Sequence, residues 1–287
     1  MDTRLRVELR ADDRAQAEHA AAAVLRVVRR IDEVTSAHRP TSELSRINLE
    51  APRAPVPVSD ELFRLLRRAQ AFSRLTGGTF DITAATVARL YDLSAGVLPD
   101  HAQLAAHRPA MGWSHLELDD IGQTVRFAHA ATRIDLGGFA RGYALDLAVS
   151  WLQRLGIAHA RVTVGGDCRV VGDRGGRSWS HAVRYPGGPA DASVATLRLE
   201  DASVATSHDP VARNAGEARR VLPVLDPVTG RPARGTRSVT VVAPDGLTAQ
   251  ALRKHIAVCG PRQGLSLERF IQKRYPTDKR FSLEGAE

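Results

Sequence analysis

Two adjacent glycines in front of a helical stretch constrain this chain more than any other feature. Residues 135–146 read DLGGFARGYALD, and a helix is predicted from there to residue 155. Because Gly137 and Gly138 carry no side chain, a ligand can approach their backbone, and the N–H groups of a helix start suit a phosphate. Arg141 adds a positive charge in the first turn. Taken alone, the pattern favours a phosphate site and a plain tight turn about equally.

Two further segments end in turns that suit a ligand. A predicted strand at 160–164 runs into Gly165, Gly166 and Asp167, which favours a sheet edge against a planar or phosphorylated ligand. The alternative there is a β-bulge or a bend. Residues 225–232 read LDPVTGRP, which is a good turn sequence whether or not it binds anything. Neither segment decides the function by itself.

Helical and strand patterns mix along the chain without a strict βα repeat, which predicts an α+β fold with mixed or antiparallel sheets and packed helices. Residues 1–275 are predicted to form a single domain, followed by a polar tail at 276–287. Helices are predicted at 12–36, 42–48, 59–75, 83–92, 100–106, 137–155, 248–258 and from Pro261. Strands are predicted at 3–9, in a hairpin at 115–134, and at 160–164, 168–172, 179–185, 193–199, 203–206, 219–225 and 237–243.

Charge and cysteine content narrow the class of partner. The net charge is +8, which favours an anionic partner such as a phosphorylated small molecule. The arginines are spread along the chain without a basic run interleaved with aromatic residues, so nucleic acid is not expected. The cysteines, Cys168 and Cys259, form no CxxC pair, which excludes a cysteine zinc site. Two small buried hydrophobic residues are the favoured interpretation, and a disulfide stays open.

Neither a signal peptide nor a membrane span is predicted. The first residues, MDTRLRVEL, lack the apolar core of a signal peptide. No apolar run approaches the roughly 20 residues that a membrane-spanning helix needs. We therefore expect a cytoplasmic protein.

Six segments occur in an order and spacing that resemble the ApbE family, the FAD:protein FMN transferases. They are SELSRIN at 42–48, TGGTFD at 76–81, GGFARGYALD at 137–146, GGD at 165–167, DPVTGRP at 226–232 and SVTVVAPD at 238–245. The resemblance covers nearly the whole chain. It implies an α+β fold related to the T-fold that holds FAD, with Mg²⁺ on the diphosphate. The implied reaction moves FMN onto a Thr or Ser hydroxyl of an acceptor flavoprotein and releases AMP.

The resemblance also implies which residues form the site. The residues expected to bind the flavin nucleotide are Ser45, Asp81, Asp135, Gly137, Gly138, Ala140, Arg141, Asp146, Gly165, Gly166, Asp167, Ser207 and Gly230. The residues expected to take part in the chemistry are Asp226, Lys254, His208 and His255. Each of the two histidines has an ordinary structural role as its alternative.

The sequence departs from the family where the metal should bind. Family members typically read ADALSTA after the last strand, and the Asp and Thr of that motif bind the metal. Here residues 249–255 read AQALRKH, so Gln250 and Lys254 stand at those positions, and no metal ligand is assigned. Mg²⁺ prefers hard, usually anionic oxygen ligands. We interpret Lys254, with Arg253, as a cation in place of Mg²⁺; the alternative is a solvated helix end.

Smaller departures fall at other motif positions. Pro223 stands where the family carries a His, Thr163 replaces an Asn, and Ile82 replaces a Pro, while Arg141 keeps the charge of a family Lys. Three functions remain open from the sequence. They are a working FMN transferase with an altered site, a flavin-binding protein without transfer activity or with another, metal-independent chemistry, and a divergent member with a different phosphorylated ligand.

Overall fold

The long first helix shows how apolar spacing sets the architecture. In this computed structural model, which describes residues 3–92, 95–184, 193–208, 224–233 and 238–260, α1 spans Arg14–Thr35. Asp13 caps it, because its carboxylate accepts a hydrogen bond from the N–H of Gln16 at 2.7 Å. Its buried stripe, which includes Val24, Val28 and Ile31, packs into the main hydrophobic core.

The remaining elements follow the predicted order closely. The other helices are α2 (Glu43–Glu50), α3 (Asp60–Leu75), α4 (Ala85–Ala88), α5 (His101–His107), α6 (Gly137–Arg154) and α7 (Gly246–Cys259). The strands are β1 (Leu5–Leu9), β2 (Val56–Pro57), β3 (Leu116–Asp119), β4 (Thr124–Phe127), β5 (Ala160–Val164), β6 (Asp167–Val171), β7 (Trp179–Arg184), β8 (Ser193–Leu199), β9 (Ser203–His208) and β10 (Ser238–Ala243). The predicted α+β class is confirmed.

Three antiparallel sheets organise the strands of the described residues. The largest has the order β1-β5-β6-β9-β10, and the smaller ones are β2-β4-β3 and the hairpin β7-β8. Val162 of β5 lies opposite Val7 of β1 and Arg169 of β6. In the strand order, β6 is the central strand of the large sheet, and its side chains meet packing partners on both faces.

The two faces of the large sheet are covered by different elements. On one face, Val162, Val164 and Val171 join the core that α1, α3 and α6 complete. On the other face, Cys168 and Val170 of β6 pack against Trp179 of the β7-β8 hairpin. Because side chains alternate along a strand, Asp167 and Arg169 of β6 are directed to the helix face with Val171.

Helices α6 and α7 cross so closely that only glycine fits at the contact. A Cβ atom built on Gly142 would overlap the carbonyl oxygen of Gly246 and lie 2.9 Å from Cγ of Gln250. A Cβ atom built on Gly246 would lie 2.8 Å from the Cα of Gly142. The carboxylate of Asp146 fixes the crossing, since it accepts hydrogen bonds from the N–H groups of Gly246 at 2.7 Å and Leu247 at 3.1 Å.

Two local predictions need correction. The helix predicted at 83–92 is a 3₁₀ turn at Ile82–Ala84 followed by the four-residue α4, because Asp81 caps a tight turn there through Thr83. No strand is predicted between the helices at 42–48 and 59–75, but the short strand β2 lies there and pairs with β4. Cys168 and Cys259 are both free, so no disulfide joins them.

Some predictions lie outside the described residues. They are Pro223, most of the strand at 219–225, the helix from Pro261 and the tail at 276–287. Within the described ranges, no helix is both long and apolar enough to cross a membrane.

Substitution of Gly142 tests the helix crossing. We expect Gly142→Ala to lower the free energy of unfolding by more than about 2 kcal/mol, because the added methyl group forces the two helix backbones apart. Chemical denaturation measures this. Gly166→Ala is the matched control, since a Cβ atom there meets nothing within 4 Å, and its effect should stay below about 1 kcal/mol. Equal effects of the two variants would show that the crossing is not tight.

The buried His181 predicts a pH dependence of stability. Burial and the neighbouring Arg161 lower the pKa of His181 to about 4 from its ordinary 6.5. The unfolded chain therefore takes up a proton at higher pH than the folded chain does, so stability is complete above pH 6.5 and falls as the pH drops toward 4. We expect a loss of roughly 3 kcal/mol relative to His181→Gln, measured by denaturation between pH 7 and 4. Parallel pH profiles would contradict the assignment.

Candidate anion-binding site at the start of helix α6

The start of α6 has the geometry of an anion site. Gly137 adopts a positive φ of 29°, and its N–H donates to Oδ1 of Asp135 at 3.1 Å. The N-cap residue Leu136 makes no side-chain capping bond. No side chain of the preceding residue thus caps the first turn at Gly138, where the positive end of the helix dipole lies.

Three polar side chains lie around the place that a side chain of residue 138 would occupy. A Cβ atom at this position would lie 2.7 Å from Oε1 of Gln250, 2.8 Å from Nη2 of Arg253 and 3.4 Å from Nη2 of Arg141. The absence of a side chain is therefore what lets these groups come together. We call this arrangement, made of Gly138, Arg141, Gln250 and Arg253, the α6 cradle.

The carboxylate of Asp167 fixes the side chains of the α6 cradle. Its carboxylate is 2% exposed and accepts hydrogen bonds from Nε2 of Gln250 at 2.8 Å and from the N–H of Thr206 at 3.2 Å. Nε of Arg141 lies 3.3 Å from Oδ2 of the same carboxylate. One buried anion at the end of a glycine turn thus joins α6, α7 and β9.

Arg253 is the most unusual member of the α6 cradle. It is buried, and burial lowers the pKa of its guanidinium. Its Nη2 donates to Oε1 of Gln250 at 2.8 Å, whereas its buried Nε has no hydrogen-bond partner among the described residues. Because Arg253 is buried, the alternative interpretation from the sequence, a solvated helix end, does not apply to it. An unpartnered guanidinium N–H in the interior is unfavourable by about 1–3 kcal/mol or more, so it favours an anionic acceptor.

Lys254 follows Arg253 directly along α7 and interacts electrostatically with two carboxylates. Its Nζ is 5.5 Å from the ring centroid of Phe80. Burial lowers the pKa of Lys254 to about 8, while the charges of Asp135 and, more weakly, Asp81 act in the opposite direction. Burial also raises the pKa of Asp81, whose carboxylate accepts hydrogen bonds from the N–H and the hydroxyl of Thr83.

His255 contacts a threonine hydroxyl rather than the α6 cradle. Its Nδ1 lies 2.5 Å from Oγ1 of Thr79 and 3.8 Å from Sγ of Cys259. Thr79 belongs to the TGGTFD segment that leads to Asp81, and its hydroxyl also donates to the carbonyl of Thr76 at 2.9 Å. The structure thereby pairs a buried imidazole with a hydroxyl group.

Two predicted site carboxylates hold turns and helix ends together. Asp226 accepts hydrogen bonds from the N–H of Val228 and the hydroxyl of Thr229 within its own turn. Asp146 caps α7 as described above, and burial raises its pKa to about 6. These contacts give both residues a structural role, and a direct role in binding or chemistry stays a prediction.

Three of the remaining predicted residues are glycines in turns. Gly165 has a φ of +64°, and Gly166 faces open space. Gly230 has a φ of +71° and its carbonyl accepts a hydrogen bond from the hydroxyl of Tyr91 at 2.8 Å.

The other remaining predicted residues lie in helices and strands. Ser207 lies opposite Val239 in the large sheet. Oγ of Ser45 in α2 is 3.4 Å from the carbonyl of Ser36. Ala140 is buried in the core. The side chain of His208 lies outside the described residues.

The residues at the family's metal positions do not fit Mg²⁺. Gln250 uses its amide nitrogen on Asp167, and its oxygen already accepts from the guanidinium of Arg253. Lys254 brings an ammonium group. Within the described parts of the chain, no three His, Cys, Asp or Glu side chains are placed to hold a metal ion. A divalent cation at this point would meet positive charge instead of oxygen ligands.

Sequence reasoning missed the central part that Arg253 plays in the site. It gave Arg253 a secondary place beside Lys254 and did not single out Thr206. One signal was present in the sequence: Arg253 follows Gln250 by three residues, which places both on one face of a helix. The backbone bond from Thr206 depends on the pairing of β6 with β9 and had no local signal.

Comparison with known proteins shows the family of the chain. The ApbE family model matches residues 1–275, and the chain belongs to the ApbE family. A FAD:protein FMN transferase of Treponema pallidum is 30% identical over 272 residues, which are 89% of this chain and 75% of that protein. The one of Vibrio cholerae is 28% identical over 84% of this chain and 74% of its own length.

Solved structures give the same assignment. The crystal structure of the ApbE protein of Thermotoga maritima superposes with a TM-score of 0.83 at 29% identity, and covers 99% of this chain and 94% of its own. The flavin transferase ApbE of Vibrio cholerae superposes with a TM-score of 0.81 at 26% identity, over 100% of this chain and 94% of that one. The resemblance inferred from the six sequence segments is thereby confirmed.

Replacement of Asp167 tests its central place in the site. We expect Asp167→Asn to lower the free energy of unfolding by about 3 kcal/mol or more, because it removes the anion beside the buried guanidinium of Arg253 and the partly buried one of Arg141. Asp120→Asn is the matched control: its carboxylate pairs with Arg67 on the surface, and such pairs contribute about 1 kcal/mol or less. Similar unfolding midpoints for the two variants would contradict the central role of Asp167.

Proposed function

We propose that this chain is a flavin transferase that binds FAD, passes its FMN part to a Thr or Ser hydroxyl of an acceptor protein and releases AMP. The observation that carries the proposal is the α6 cradle, where the guanidinium groups of two arginines meet the start of a helix at Gly138. The names of the curated relatives, FAD:protein FMN transferase, support the same reaction.

The reaction is a substitution at phosphorus. The acceptor oxygen forms a bond to the phosphorus atom of the FMN part, and the anhydride bond to the AMP phosphate breaks. AMP leaves with the bridging oxygen and its electron pair, while the hydroxyl proton passes to a base. The enzyme has to offset the negative charge that builds up on the phosphate oxygens and to hold the two reacting oxygens in line.

The α6 cradle meets the electrostatic requirement in this proposal. The guanidinium groups of Arg141 and Arg253 and the N–H groups at Gly138 bind the diphosphate oxygens. Asp167 keeps both guanidinium groups in place, so little rearrangement is needed when the anion arrives. The unpartnered Nε of Arg253 gains its acceptor from the ligand.

Among the predicted bases, His255 has the best support. It is a buried histidine whose Nδ1 lies 2.5 Å from Oγ1 of Thr79, whereas the carboxylate of Asp226 is engaged in its own turn. Because the Thr79 hydroxyl donates to the carbonyl of Thr76, Nδ1 donates to Thr79, and we propose that the other ring nitrogen of His255 accepts the proton of the acceptor hydroxyl. His208 and Asp226 stay predicted alternatives.

Flavin binding without transfer is the second candidate function. The observation that favours it is the poor fit of Gln250 and Lys254 to Mg²⁺. Under this candidate the protein binds FAD in the α6 cradle and releases no AMP. For the first candidate, the sequence predicts an acceptor flavoprotein and a cytoplasmic location.

Product analysis distinguishes the two candidates. The purified protein is incubated with FAD and a desalted extract of its source organism, AMP is measured by chromatography, and covalent flavin is detected by its fluorescence in a denaturing gel. A fluorescent band with matching AMP supports transfer. Bound FAD without AMP or band supports the second candidate, and the absence of FAD binding contradicts both.

Arg253→Met connects this function to the α6 cradle. We expect the affinity for FAD to fall at least tenfold, since a charged hydrogen bond contributes about 1.5–3 kcal/mol. The unfolding midpoint confirms that the variant is folded. Arg154→Met, at the exposed far end of α6, is the matched control for FAD binding. Unchanged affinity in Arg253→Met would place the diphosphate elsewhere.

A further inference from the structure

We propose that Lys254 supplies the positive charge that neutralises the FAD diphosphate, so that this protein binds and transfers flavin without a divalent metal ion. The inference rests on the proposed function and concerns the same site. It depends on how Gln250 and Arg253 are bonded, on the surroundings of the Lys254 ammonium, and on the charge balance around Gly138.

The bonding of Gln250 leaves no place for a divalent ion. Its Nε2 donates to Asp167 at 2.8 Å, which fixes the orientation of the amide, and its Oε1 accepts from Nη2 of Arg253 at the same distance. An ion that approached Oε1 would lie beside the guanidinium of Arg253 and be repelled by it. The nearest carboxylate, Asp167, already neutralises Arg141.

Lys254 lies one helical turn beyond Gln250, on the same face of α7. Its ammonium group is near the ring of Phe80 and feels the charges of Asp135 and Asp81. Among the described residues it forms no direct salt bridge, and the side chain is only partly buried. Because Lys254 directly follows Arg253 and interacts electrostatically with Arg253 and Arg141, we place its ammonium beside the α6 cradle in this proposal.

The charges in the α6 cradle favour an anion. Arg141 and Arg253 carry two positive charges there against the single carboxylate of Asp167, which is engaged with its own partners. The ammonium of Lys254 interacts with the carboxylates of Asp135 and Asp81, which accept hydrogen bonds from the N–H of Gly137 and from Thr83. A diphosphate adds one negative charge on each phosphate, and an ammonium group is a compact point charge with three donors for such oxygens.

The first experiment measures FAD affinity with and without metal. The quenching of flavin fluorescence is titrated in EDTA and in millimolar Mg²⁺, with ADP as a competing diphosphate that lacks the flavin. We expect the affinities in the two buffers to agree within about twofold. A gain of tenfold or more with Mg²⁺ would overturn the metal-free inference and leave the proposed function intact. Failure of both FAD and ADP to bind would overturn the proposed function and this inference together.

The second experiment changes Lys254 in the full chain. We expect Lys254→Met to bind FAD and ADP at least tenfold more weakly, and Lys254→Arg to stay within about threefold of the parent, since it keeps the charge. Arg154→Met, which removes a cation from the distant end of α6, should bind as the parent does. Unfolding midpoints confirm that all variants are folded. If folded Lys254→Met bound FAD and ADP as tightly as the parent, the inference would be overturned, because Lys254 would then have only a structural role.

A double variant restores the residues that the family carries at the two metal positions. Gln250→Asp combined with Lys254→Thr removes the ammonium and places a second carboxylate next to Asp167, which favours a hard divalent cation. We expect the FAD affinity of the folded double variant to rise at least tenfold on addition of Mg²⁺. An affinity indifferent to Mg²⁺ would show that these two positions do not decide the metal requirement, which contradicts the inference.

Discussion

The close crossing of α6 and α7 is the contact on which the rest of the site depends. At Gly142 and Gly246 the two backbones touch, so a side chain at either position would push the helices apart. The crossing brings Gln250 and Arg253 of α7 within reach of Gly138 at the start of α6. Asp146 then joins the beginning of α7 to the middle of α6. A helix dipole and two arginines meet at one point only because this distance is so short.

Electrostatics explain why such a point suits a diphosphate. Burying a guanidinium is unfavourable unless an anion and hydrogen-bond acceptors accompany it. Asp167 supplies the anion for Arg141 and, through Gln250, holds Arg253 in position. It does not satisfy Nε of Arg253, which stays without a partner among the described residues. The fold thus stabilises an incompletely neutralised cluster, and a ligand that brings negative charge and oxygen acceptors completes it. Preorganised charge of this kind is what phosphoryl chemistry requires.

The sequence predicts the elements of this site better than their contacts. Periodic apolar residues and the caps Asp13 and Ser59 define α1 and α3, and the turn at Asp119 defines the β3-β4 hairpin. The helix predicted at 83–92 shortens because Thr83 bonds to Asp81, a local contact that competes with helical periodicity. The burial of Arg253 has no local signal at all. It arises from the crossing with α6, since a basic residue near a helix end is exposed in most proteins.

The positions of Gln250, Arg253 and Lys254 are best understood as one set. An amide at position 250 accepts from Arg253, whereas a bound divalent ion there would be repelled by that same arginine. Because Gln250 links the buried Arg253 to Asp167, a metal ion and the arginine compete for the charge of one carboxylate. An ammonium at position 254 avoids that competition, because it approaches the ligand from the side of Asp135 and Phe80. The loss of oxygen ligands and the gain of positive charge therefore follow from the same constraint, which is how much charge one buried aspartate can offset.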